Sequence, residues 1–222
     1  MPIPLSYQVS EYDCGPTSLL NALNYLFDRK QIRPCLLKAV YQYSLDDCDQ
    51  QGRPGYMGTS GAALKFLCRW MNSYAQSCHF PIRCKTLHSK DIFLGPGSEL
   101  NKALEQGAVA VTRCLLGCGH YVLIVGAHNG VCELWDPYYE EKPIRKKTIE
   151  TVTDEPNRCN HRVAYVQMNT ENRGYYSLGP IPSRECLLLW NTGLKRDAEK
   201  PPKQKPAAKK PAEKKQGQAA MV

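Results

Sequence analysis

The sequence predicts an α+β fold in which an N-terminal helix packs on an antiparallel sheet, and three observations carry that expectation. Leu19, Leu20, Leu23, Leu26 and Phe27 fall on one face of a 3.6-residue period. Residues 108–127 hold two buried-looking apolar strands about a glycine-bearing turn at Gly117-Cys118-Gly119. Asn129-Gly130 then gives the tight-hairpin signal, so that Val131 to Asp136 should run back antiparallel beside the second strand.

In chain order, the first helix is expected to begin at Pro16, whose missing N–H costs nothing in a first turn, and to end near Asp28. Pro34 restricts the residue before it, and a second helix should span Cys35 to about Ser44. Thr59 or Ser60 can cap a third, with Ala63, Leu64, Leu67 and Met71 inward. Phe80 to Leu87 alternates like a strand, and Glu99 to Gln106 reads as a short helix capped by Ser98 and stopped by Gly107. His120 should open the second core strand. Further on, Pro143 to Thr148 reads as a basic edge strand or loop, Val163 to Met168 as a returning strand, and Tyr175 to Trp190 as a closing segment without a defined place.

Length and composition set bounds on this reading. The 222 residues suit one core, with residues 1–194 as the domain and 195–222 as a disordered tail rich in Lys, Pro and Ala. That tail holds nine Lys or Arg against three acids, so most of the net charge of +8 lies there and the folded part is nearly neutral. A general nucleic-acid footprint is thereby set aside, leaving only salt-sensitive contact of the tail with a polyanion or an anionic membrane surface. No apolar run reaches the length of a membrane span, and the first residues lack a signal-peptide pattern. Eleven cysteines without such a signal are expected to be reduced thiols in a cytoplasmic protein.

The chemistry centres on Cys14. A thiol at a helix N-terminus sits where unsatisfied N–H groups and the macrodipole favour negative charge, and the thiolate is the attacking form. Six residues upstream, the Gln8 amide can donate to an oxygen that becomes negative when a thiolate attacks a carbonyl. Pairing the strands across Asn129-Gly130 brings the end of the returning strand, Asp136, near the start of the outgoing one, His120. A carboxylate beside a histidine fixes the imidazole tautomer and stabilises the imidazolium, which is what a cysteine nucleophile requires. Pro137 ends that strand and leaves Asp136 at a rim.

Two metal readings compete on weaker grounds. Cys114, Cys118 and His120, with Cys132 from the next strand, approach some zinc spacings but lack a second paired motif. Asp46, Asp47 and Asp49 lack the alternating ligands and terminal Glu of an EF-hand loop. No metal or organic cofactor is prescribed.

Gln8 ahead of Asp13-Cys14-Gly15-Pro16, then Gly58-Thr59-Ser60, Gly119-His120-Tyr121-Val122 and Trp135-Asp136-Pro137, resemble the bacteriocin-processing, double-glycine leader peptidases. The resemblance runs from about Leu5 to Asp136 and takes in the strand expected over Arg162 to Met168. It implies a papain-like cysteine peptidase fold with Cys14 as nucleophile, His120 as base, Asp136 as its orienter and Gln8 in the oxyanion hole. It also implies a peptide or protein substrate. The chain has neither the membrane span nor the phosphate loop of the export ATPase to which many members are fused. A stand-alone amide hydrolase, an acyl or peptidyl transferase at the same site, and a peptide-binding module of the same fold therefore stand beside leader cleavage.

Overall fold

A computed structural model describes residues 4–193. The tail expected over residues 195–222 lies outside them. The architecture is α+β, built on one seven-stranded sheet that is antiparallel throughout. Its strands are β1 (Ile82–His88), β2 (Val109–Leu116), β3 (Cys118–His128), β4 (Val131–Trp135), β5 (Ile149–Thr151), β6 (His161–Ala164) and β7 (Glu185–Asn191). They lie in the order β1-β7-β2-β3-β4-β6-β5.

Side-chain alternation gives the sheet two apolar faces. Val109, Val111, Tyr121, Leu123, Trp135, Leu187 and Leu189 belong to one core, under α1 (Cys14–Leu26), α2 (Pro34–Tyr43) and α3 (Gly61–Cys78). Ala110, Val122, Ile124, Leu134, Cys186 and Leu188 belong to the other, under α4 (Glu99–Glu105) and the segment that follows β6. Burial on both faces explains the nearly unbroken apolar runs of β2, β3 and β7.

The helix α1 begins at Cys14, two residues before its expected start, and ends at Leu26, where Phe27 turns extended. Pro16 tolerates the third position because the first four N–H groups of a helix have no partner in it. Ser60 rather than Thr59 caps α3, its hydroxyl accepting from the Ala63 N–H at 3.2 Å. Ser98 caps α4 in the same way.

One expectation is corrected and two are made definite. The strand expected over Val163 to Met168 stops at Ala164, and Tyr165–Met168 is a helical turn, α5. The cause is the end of its partner: Ala164 lies opposite Val131, the first residue of β4, and the Tyr165 N–H closes on the Gly130 carbonyl of the hairpin at 2.8 Å. Of the two forms expected for the basic stretch Pro143 to Thr148 it takes the loop, and the edge strand follows it as Ile149–Thr151. The segment that had no defined place ends in β7, a central strand between β1 and β2.

Candidate active site

Cys14 is positioned by α1 and by what α1 rests on. One turn after it, the buried Ser18 hydroxyl donates to the Tyr121 carbonyl at 3.0 Å, so the start of the helix abuts the strand residue next to His120. The preceding loop is folded by Asp13, whose carboxylate accepts the N–H groups of Val9 and Ser10 at 3.0 and 2.7 Å and the Ser10 hydroxyl at 2.6 Å. Partial burial works against its ionisation, but these donors prevail and hold its pKa below the ordinary value. Gly15 is required by packing: a Cβ there would stand 2.0 Å from Thr59 Oγ1. The Gly58-Thr59-Ser60 loop thus closes directly on the first turn of α1.

His120 lies in β3 opposite Cys114, and the structure brings it to Asp136 with Nε2 2.6 Å from Oδ1. Both residues are buried. The regular hairpin register would not have done this. Counting from the His128–Val131 pair, it would set Asp136 opposite Leu123, on the face away from His120. A bulge between Ile124 and Gly126 shifts the ladder by one, pairing Leu123 with Trp135 and putting Asp136 in phase with Val122 and His120.

With Nε2 committed to Asp136, the remaining ring nitrogen is Nδ1, and the Cys14 thiol lies close enough to the imidazole to influence its protonation. Burial disfavours the imidazolium, but hydrogen bonds and charge from Asp136 and Cys14 outweigh it and push the His120 pKa up to about 10.

Asp136 is held from every side. Oδ1 also accepts the Tyr138 N–H at 2.8 Å, and Oδ2 accepts the Tyr176 hydroxyl at 2.8 Å. Its backbone is bracketed by the Asn160 amide, which accepts from its N–H at 2.7 Å and donates to its carbonyl at 2.8 Å. That bracket fixes a tautomer: Asn160 Oδ1 can only accept, so the nearby Nδ1 of buried His161, 3.0 Å away, carries the proton. Asn160 and Tyr176 escaped sequence reasoning because each reaches Asp136 across 24 or more residues without a local motif.

Gln8 is tied to the same region, its N–H donating to the Pro137 carbonyl at 2.8 Å. Its side-chain Nε2 donates to the Ser10 carbonyl at 2.7 Å, which leaves one amide hydrogen uncommitted, while Oε1 is buried without a partner. A cleft of about 730 Å3 opens beside Cys14. Gly58, Thr59 and Ser60 wall it on one side and Arg113, Gly119, Tyr121 and Glu185 on another; neither Gln8 nor His120 is among its walls.

The expected zinc ligands do not converge. Cys118 is exposed at the turn while Cys114 and Cys132 are buried strand thiols, and among the described residues the only close group of three possible ligands is Glu133, Glu155 and Cys159. Those carboxylates are already paired with Arg158 and Arg162. In the acidic loop, Asp49 is bound to Arg53 and Asp46 to Ser60. All eleven cysteines are free thiols. Among the described residues, no helix is long and apolar enough to cross a membrane.

Compared with known proteins, the chain matches no protein-family model and no curated protein.

Proposed function

We propose that this chain is a cysteine-dependent amide hydrolase of papain-like architecture, acting on peptides through a thioester acyl-enzyme. The observation that carries the reading is the His120–Asp136 contact of 2.6 Å, made by an imidazole whose protonation is influenced by a thiol at the N-terminus of a helix. An imidazole held cationic through neutral pH favours the neighbouring sulfur as thiolate.

The proposed cycle assigns these residues as follows. Thiolate Sγ of Cys14 attacks the carbonyl carbon, and the oxyanion takes the first-turn N–H of Cys14 and the uncommitted Gln8 amide hydrogen. His120 gives its Nδ1 proton to the leaving nitrogen as the C–N bond breaks, which leaves a thioester and a neutral imidazole held in register by Asp136. The imidazole then takes a proton from water, the hydroxide attacks the thioester, and the C–S bond breaks to release the acid and restore the thiolate–imidazolium pair. An amine in place of water would turn the same site into a transferase. The likeness of its motifs to double-glycine leader peptidases supports a peptide substrate, and no step needs an export ATPase.

The test is site-resolved alkylation by iodoacetamide across pH, read by peptide mass spectrometry under reducing conditions. Burial pushes the thiols of Cys84, Cys114, Cys132, Cys159 and Cys186 up and keeps them quiet. Cys14 is expected to react well below pH 7 and to lose that advantage in His120→Ala. A Cys14 that reacts no faster than exposed Cys35, or is indifferent to His120, would refute the proposal.

A further inference from the structure

The cleft beside Cys14 is lined by Lys65 and Arg113, and Arg113 is the one that lies against the turn before His120. Arg113 projects from β2 next to Gly119, close enough that a Cβ on Gly119 would stand 2.4 Å from its Nη2. Glycine immediately before His120 is thus what allows a guanidinium to lie against the β2–β3 turn. Its one ionic neighbour is Glu185, at 3.7 Å from Nε, and it makes no hydrogen bond among the described residues. Glu185 is engaged elsewhere, accepting the Tyr121 hydroxyl at 2.6 Å. The Arg113 side chain is 41% exposed, and its planar fork of donors lines the cleft with only this loose ion pair to hold it.

That cation and the reacting sulfur line the same cleft. The Tyr121 phenol, held up by burial and by Glu185, feels the charges of both Arg113 and Cys14. The remaining acids of the cleft, Glu11 and Asp47, come from its other wall, and Asp47 already accepts the Cys48 N–H at 3.0 Å. We infer that Arg113 is the specificity determinant of this cleft, binding a substrate carboxylate one or two residues from the scissile amide. The inference rests on the hydrolase reading. Guanidinium and carboxylate match as a two-point, charge-assisted pair, which gives direction as well as affinity. The carboxylate can be an acidic side chain or the free C-terminus of a peptide; the recognition chemistry is shared.

Two measurements separate this inference from the reading beneath it. The first incubates the full chain with a synthetic peptide library in matched sets: an Asp or Glu at each position flanking the cut, the Asn or Gln counterpart, and free-acid against amidated C-termini. Cleavage is expected to favour one carboxylate set by about ten- to a hundredfold in kcat/KM. Preference for internal acids identifies a side-chain carboxylate, and loss of cleavage on amidation identifies the C-terminus. Arg113→Gln should remove the preference, and Arg113→Lys should restore part of it. Cleavage without carboxylate preference, or a preference that survives Arg113→Gln, overturns the inference and leaves the hydrolase standing. The second measures binding of the same labelled peptides to Cys14→Ala protein. If no peptide is cut yet carboxylate peptides bind in an Arg113-dependent way, the hydrolase fails and the carboxylate site stands. Equal binding of acid and neutral peptides overturns the site.

Discussion

The Asp136 carboxylate, with no exposed surface, accepts from His120, the Tyr138 N–H and the Tyr176 hydroxyl. A buried charge is tolerated when its lone pairs are met by donors, and removal of one donor exposes its desolvation cost. Tyr176 is itself held at some expense: φ is +58°, a left-handed conformation uncommon for an aromatic residue. The phenol reaches Asp136 in spite of that cost, which identifies it as a positioning residue for the His120 partner. Tyr176→Phe should keep the ring packing and lose the donor, lowering unfolding free energy by about 1.5–3 kcal/mol. Urea denaturation reads that loss. In the hydrolase, kcat should fall while KM holds, because Tyr176 orients the acid–base pair and does not wall the cleft. An unchanged midpoint would show that water replaces the hydroxyl without penalty.

At the level of elements, the site is assembled where the start of α1, the loop Gly58-Thr59-Ser60 and the β3–β4 hairpin meet, and each meeting depends on a small residue or an irregularity. Gly15 admits Thr59, and in Gly15→Ala the new methyl would overlap a buried, β-branched side chain with little freedom to move. Such overpacking should cost about 1–3 kcal/mol and push the loop away from the first turn. Thermal unfolding should show the cost, and Gly15→Ala in a Thr59→Gly background should recover more than half of it. Failure of that rescue would place the strain elsewhere. The same elements show what a sequence can and cannot disclose. Helical spacing from Leu19, the Ser60 and Ser98 caps and the Asn129-Gly130 turn are local signals, and those elements were legible to within a few residues. The proximity of His120 and Asp136 was legible only as an approximate pairing. The bulge that brings them onto one face falls beside Gly126, and a glycine inside a strand signals an irregularity without telling which face the next residues take. β7 was obscure for a related reason, since a run such as Leu187-Leu188-Leu189 has no period when both faces of a strand are buried.

For the molecule as a whole, the two histidines in contact with the Asp136 cluster pull stability in opposite directions, and their balance reports the protonation state of the site. His161 is held below its ordinary pKa by burial, a pull that the Asp136 charge only partly offsets; the unfolded chain therefore binds its proton more readily, and stability is lost as pH falls below about 6.5. His120 has the contrary sign. Its folded pKa of about 10 lies above the unfolded value, so its contribution is complete below about 6.5 and is lost as pH rises through 10. Removing Cys14 isolates the His120–Asp136 pair and leaves its raised pKa resting on Asp136 alone. In Cys14→Ala, unfolding free energy should peak near pH 6.5 and then fall by up to about 1.4 kcal/mol per pH unit, the limit for one proton. The window from 6.5 to 8 is diagnostic, because unfolded thiols begin to ionise only near 8.5 and would then add a loss of the same sign. A second substitution, His120→Gln, should flatten the slope in that window; a slope that persists would assign it to other groups. The native chain supplies the sharper comparison. If its resting site is a thiolate beside an imidazolium, the proton gained by His120 is one given up by Cys14, and the folded and unfolded states bind nearly equal numbers of protons near pH 7.5. Its stability should then be almost level where that of Cys14→Ala declines. Parallel slopes in the two proteins would instead mean a protonated thiol at rest, and the ion pair would have to form only after substrate enters the cleft.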